Sequence, residues 1–135
     1  MKIVTKMIED ELFEASNTFG NKVAIDMRKP GEKIGQSPVE LLLSSLSACG
    51  AVDVVAILKK RKKTILAFTI ETEAKRRESP PRSVTHLHCK YLITSPDVTE
   101  DELSKVASLS IEKYCSVAAS LKSTITYSVE VIRAH

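Results

Sequence analysis

The first third of the chain alternates apolar and polar positions. "KIVTKMI" and "ELFEAS" carry the two-residue period of short strands, and "NKVAIDM" sets Val23, Ile25 and Met27 on one face with Lys22 and Asp26 on the other. "FGN" at 19–21 supplies a turn between the second and third strands. The "RKPGEKIGQ" that follows has no apolar period and reads as a mobile loop. At Ser37 the pattern becomes helical. Ser37 suits the N-cap, Pro38 the first helical position and Glu40 the third, the S-x-x-E of a capping box. From there to Lys60 only Gly50 interrupts, and apolar residues cover most of the circumference, which predicts a central helix. Gly50 costs about 1 kcal/mol relative to alanine in an exposed helix, so its expected use is the close approach of another backbone beside Cys49.

Alternation then resumes. "TILAFTIETEAK" places Leu66, Phe68 and Ile70 on one face of a strand, and "ESPPR" makes a turn. "SVTHLHCKYLITS" puts Leu87, Cys89, Tyr91 and Ile93 on one face and His86, His88 and Lys90 on the other. "TEDELSKVASLSIEKY" opens with a second capping box, Thr99 to Glu102, and continues as a helix. Cys115 follows, then a short apolar turn, and "STITYSVEVI" closes with Ile125, Tyr127, Val129 and Val131 on one face. The order is three strands, a long helix, two strands, a helix and a last strand. Hairpin-like links and half-buried alternation predict an α+β domain of antiparallel sheet packed on helices. An apolar helix of this length in 135 residues needs cover from several sides, which points to a dimer.

Composition narrows the function. Aromatics make up 4% of the chain and Trp is absent, so a base-stacking surface for single-stranded nucleic acid is not expected. The net charge of +3 comes mostly from "KKRKK" at 59–63, backed by "KRR" at 75–77. Cations at a helix C-terminus complement its dipole, and no nucleic-acid motif accompanies the run, so no specific nucleic-acid binding is expected. The N-terminus is too charged for a signal peptide, and no apolar run approaches the roughly 18 residues that span a membrane. A cytoplasmic location is the default, where paired thiols are more often catalytic or metal-binding than structural.

Three cysteines remain to be explained. Cys89 lies in phase with Leu87 and Tyr91 and reads as core filler. His86 and His88 share a strand face, but zinc needs about four ligands and no CxxC or HxxxH spacing exists, so no metal or cofactor site is expected. Cys49 stands among small residues in "SSLSACG", with room for a pocket, and Asp53 follows one turn later in an otherwise apolar stretch. Asp53 either marks a solvated stripe or orients a polar group. Cys115 begins a new helical turn beside Ser116, a position that favours the thiolate. The residues alone leave open whether Cys49 and Cys115 are packing atoms or a working pair.

"SPVELLLSSLSAC" with "VDVVAILKKRK" and, far downstream, "EKYCSVAASL" before a terminal strand resembles the OsmC/Ohr family, the osmotically inducible and organic hydroperoxide resistance proteins. The resemblance covers nearly the whole chain as one domain, 1–135. It implies an intertwined homodimer, antiparallel sheets wrapped around two central helices, with sites at the interface. It also implies thiol-dependent reduction of an organic hydroperoxide in oxidative-stress defence. In that scheme Cys49 matches the peroxidatic thiol and Cys115 the resolving thiol, which condense to a disulfide that an external dithiol reduces. The family's well-studied peroxidases place a glutamate directly after the helix-starting proline, where Val39 stands here. They also place an arginine in the turn between the second and third strands, where this chain has "SNTFGNK". Glu40 and Arg28 are therefore the candidate auxiliary residues, with Asp53. The rival reading is a non-enzymatic redox-sensing or small-ligand-binding dimer that keeps the fold and thiols.

Overall fold

The structure is a computed structural model describing residues 1–135. The chain forms two compact units, Met1–Leu42 and Leu43–His135.

The first unit is an antiparallel meander of β1 (Val4–Glu9), β2 (Leu12–Ser16) and β3 (Lys22–Asp26). The β2–β3 turn is organised by Asn17, whose side-chain oxygen accepts from the Phe19 and Asn21 N–H groups at 3.0 and 2.9 Å. Gly20 takes the positive φ of 83° that the turn requires. The face assignment on β3 is inverted relative to its pattern. Val23 and Met27 are exposed, whereas Asp26 is fully buried. An acid there is tolerable because every partner is present. Arg28 donates through Nε and Nη2 at 3.0 and 2.9 Å, and the Arg28 and Ile34 N–H groups donate at 3.0 and 2.8 Å. Those bonds, the Arg28 side chain first, hold the Asp26 carboxyl far below the usual range. The same bonds order the segment expected to be mobile. It contains a 3-10 turn at Pro30–Glu32 and a bridge from Ile25 to Gln36.

Helix α1 (Pro38–Lys60) starts as its sequence predicts. The Ser37 N–H donates to Glu40 Oε1 at 3.0 Å and the Glu40 N–H to Ser37 Oγ at 3.2 Å, a complete capping box. It stops at the basic run. Lys62 adopts the left-handed φ of 60°, and the Lys63 N–H reaches back to the Leu58 carbonyl at 3.0 Å, closing the last turn as a Schellman motif. Lys63 and Arg61 also face Glu102, at 3.6 and 3.5 Å. The second capping box is therefore half formed. Thr99 Oγ1 accepts from the Glu102 N–H at 3.1 Å, while the Glu102 carboxylate serves those two cations.

In the second unit β4 (Ala67–Arg76), β5 (Val84–Ser95) and β6 (Thr124–Arg133) form a sheet with β5 in the centre. β4 pairs antiparallel to β5, but β6 runs parallel to it. This corrects the all-antiparallel expectation, and the cause lies in the connection. Between β5 and β6 the chain makes α2 (Glu100–Leu109), a π turn (Ser110–Tyr114) and α3 (Ser116–Ala119), a crossover that returns it to the same end of the sheet. Leu87, Cys89, Tyr91 and Ile93 are buried as their phase predicts, and Leu103, Val106 and Ala107 of α2 join that core. Leu66 is an exception, 61% exposed just before β4 begins.

Within this unit α1 buries Leu46, Gly50, Val54 and Leu58, one residue every four. Ala48, Val52 and Ala56, offset by two residues or about 200°, are exposed on the opposite side. The helix is long and apolar enough to cross a membrane by length and composition, with mean hydropathy 2.1 over 18 residues and 22% of that window buried. The sequence expectation of no such run is corrected on this point: Ser44, Ser45, Ser47 and Asp53 interrupt the apolar residues without lowering the average below a spanning value.

Ser37→Ala removes one half of the capping box and is expected to lower unfolding free energy by about 1 kcal/mol. A urea titration of wild type and variant measures it, with unchanged slope showing that the unfolded state is unaffected.

Candidate active site

Sixty-six positions apart in sequence, the two thiols meet in the second unit. Cys49 and Asp53 stand one turn apart on α1 and so share a helix face. The sulfurs of Cys49 and Cys115 and a carboxylate oxygen of Asp53 all lie within 4.8 Å of one another. Both thiols are free, Cys49 half-buried and Cys115 buried.

The π turn delivers Cys115. Its N–H closes a wide turn onto the Ser110 carbonyl at 2.7 Å, and the buried Ser110 hydroxyl donates to Asp53 Oδ2 at 2.9 Å. One residue thus ties the turn carrying Cys115 to the helix carrying Cys49. Gly50 serves a side chain rather than a backbone: a Cβ there would stand 3.1 Å from the Tyr91 hydroxyl and 3.8 Å from Ser110 Oγ. The phenol of Tyr91 is buried, and its ionisation is pushed up first by that burial and then by the nearby Cys89, Cys115, Asp53 and Cys49.

Cys115 caps α3, with Sγ accepting from the Ala118 N–H at 3.4 Å. That contact favours the thiolate, as the sequence suggests, but it loses to two stronger effects. Burial and then the hydrogen bond toward Cys49 push the Cys115 thiol up to about 11. A four-residue helix offers little dipole to offset desolvation. Cys115 therefore keeps its proton at neutral pH.

The remaining expected residues occupy other settings. Glu40 is committed to its capping box, with Lys33 4.0 Å away, and those partners lower its carboxyl pKa, the Ser37 N–H foremost. Arg28 is held by Asp26 and by Glu9 at 2.6 Å. Cys89 is buried and receives the Thr72 hydroxyl at 3.7 Å, and burial raises its thiol. His88 contacts Thr126 Oγ1 at 2.7 Å and Ser128 Oγ at 2.9 Å across β5 and β6, a polar strand cross-link. Ser110 and Tyr91 escaped the sequence reading. Ser110 sits inside what reads as continuous helix, and Tyr91 in phase with the core gives no sign that its hydroxyl end faces the thiols.

The OsmC-like protein family model matches residues 30–130, three quarters of the chain and all of this site. The chain belongs to the OsmC family. Relatives of this OsmC-like chain include protein YhfA of Escherichia coli strain K12, 33% identical over 99% of this chain and 100% of its own length. A crystal structure of a hypothetical protein from Aquifex aeolicus VF5 is 29% identical with a TM-score of 0.87, covering 99% of this chain and 97% of that one. An OsmC-like protein from Mycoplasma pneumoniae, 20% identical with a TM-score of 0.80, covers 99% and 96% and shares the fold. Family membership supports a redox or peroxidase-like role for the chain.

Cys49→Ala leaves burial as the one cause that still raises the Cys115 thiol. In a Cys89→Ser background, the pH at which Cys115 becomes half reactive toward an alkylating reagent is expected to fall below about 11. An unchanged pH–rate profile would mean that burial alone sets it.

Proposed function

We propose that this OsmC-like protein is a thiol-dependent peroxidase for organic hydroperoxides, acting as a homodimer in the cytoplasm. The observation that carries the reading is the meeting of Cys49 and Cys115 within 4.8 Å. Cys49 is the more accessible of the two thiols and takes the part of nucleophile, with the buried Cys115 as the resolving thiol. Its thiolate attacks the distal oxygen of ROOH, the O–O bond breaks, and the alkoxide takes a proton to leave as ROH. Cys49 is then a sulfenic acid. Cys115 attacks that sulfur, and its proton leaves with the hydroxyl as water, giving the disulfide. An external dithiol returns both thiols by exchange. Asp53, fixed by Ser110, stands beside the pair, placed to relay the Cys115 proton to the departing hydroxyl during condensation. Glu40 and Arg28 have structural partners of their own, which argues against giving either a catalytic role.

The bare side of α1 supports a second copy as its cover. Lipid is the poorer occupant, because Asp53 near the middle of the helix would cost about 2.5–3.5 kcal/mol in a bilayer. Val52, 70% exposed at the centre of that side, anchors the interface.

Purified protein with a dithiol and cumene hydroperoxide is expected to consume peroxide. Cys49→Ser should abolish turnover, while Cys115→Ser should leave a sulfenic acid that a 1,3-diketone traps. Equal, slow consumption by wild type and Cys49→Ser would end the enzyme reading in favour of the redox-sensing one. Separately, Val52→Glu is expected to halve the mass found by sedimentation equilibrium. A wild type that sediments as a monomer would remove the dimer.

A further inference from the structure

Two thiols and a carboxylate converging on one point are also a donor set. We propose that Cys49, Asp53 and Cys115, when both thiols are reduced, bind a thiophilic divalent cation, zinc being the best match. The proposal shares its atoms with the peroxide chemistry but does not rest on turnover.

Geometry supports it first. Two donors each about 2.3 Å from a tetrahedral zinc stand about 3.8 Å apart. The three donor atoms here lie within 4.8 Å of one another, so side-chain rotations of an ångström or less complete the approach. Cys49 and Asp53 at i and i+4 present their donors from one helix face, the spacing by which a helix supplies two ligands to a metal. The third donor comes from a different element, as a three-dimensional site requires.

The surroundings are those of a ligand shell. The Ser110 hydroxyl engages Asp53 Oδ2 at 2.9 Å and fixes the orientation of the carboxylate, the part that second-sphere partners play around metal ligands. The Ser110 carbonyl meanwhile holds the Cys115 backbone at 2.7 Å. An open cleft of about 570 Å³, walled also by Ile57, Leu109 and Tyr114, borders Asp53 and gives the carboxylate access to solvent.

The step balances simply: the two thiols release their protons to solvent, two metal–sulfur bonds form, and nothing is oxidised. A Cys49–Cys115 disulfide has no thiolates to offer and cannot bind. Metal and oxidant therefore compete for the same two atoms, and a bound cation protects them from peroxide.

The test uses the full-length protein, reduced and desalted without oxygen, with cobalt(II) as spectroscopic probe and zinc(II) in competition with a chromogenic chelator. One cobalt per protomer is expected, with a thiolate-to-cobalt charge-transfer band and the visible bands of four-coordinate geometry. Both should vanish in Cys49→Ser and Cys115→Ser, persist in Cys89→Ser, and be absent after oxidation to the disulfide. Ser110→Ala should weaken zinc binding about 10- to 100-fold, and Asp53→Asn should shift the cobalt bands. Reduced wild type without a thiolate band, or bands that survive Cys49→Ser, would overturn the site. Should the buried Cys115→Ser variant lose its circular dichroism spectrum, the half-exposed Cys49→Ser and the Ser110→Ala affinity decide the matter. A protein that binds cobalt but ignores peroxide refutes only the peroxidase reading, and the converse refutes only this one.

Discussion

The hydrogen bond from Ser110 to Asp53 is the constraint on which the site depends. It is short, partly buried and joins two elements that are distant in sequence, the long helix and the turn after α2. A buried hydroxyl–carboxylate contact is worth more than a neutral one, because leaving either group unpartnered would cost its full desolvation. The π turn multiplies its effect. By inserting an extra residue before the backbone closes on Ser110, it ends α2 and directs Cys115 inward, where a regular helix would have carried the chain on.

The two thiols occupy unlike environments although they nearly touch. Cys49 opens from a helix face lined with small residues, while Cys115 is sealed beneath the crossover and keeps its proton. This asymmetry follows from burial acting against a very short helix, and desolvation wins. It makes the two sulfurs unequal, one accessible from its helix and the other buried. The neighbouring carboxylate and phenol keep the pocket polar on one side, although α1 as a whole is one of the most apolar segments of the chain.

Much of this was legible in the residues. Ser37, Pro38 and Glu40 announced the start of α1, and the phase of Leu87, Cys89, Tyr91 and Ile93 identified the central strand of the second sheet. The resemblance carried by "SSLSAC" and "EKYCSVAAS" brought Cys49 and Cys115 forward as a pair. Other features were hidden for physical reasons. A two-residue period says which face is buried but nothing about strand direction, so the parallel pairing of β5 with β6 could not be read. Asp26 defeats a polarity rule because its partners, Arg28 and the Ile34 N–H, satisfy it inside. Ser110 looks like any small residue in a helix, since a π turn has no composition of its own.

The spacing of the bare residues on α1 has a consequence for assembly. Ala48, Val52 and Ala56 recur every four positions, and such a row does not run straight along a helix but slants across it by about 26°. When two identical rows of this kind interlock, their slants add, which tilts the axes to about 50° from parallel. The small alanine side chains at either end of Val52 let those axes come close at the crossing. Contact between two such rods would be concentrated at a point, with the flanking lengths of helix diverging on either side.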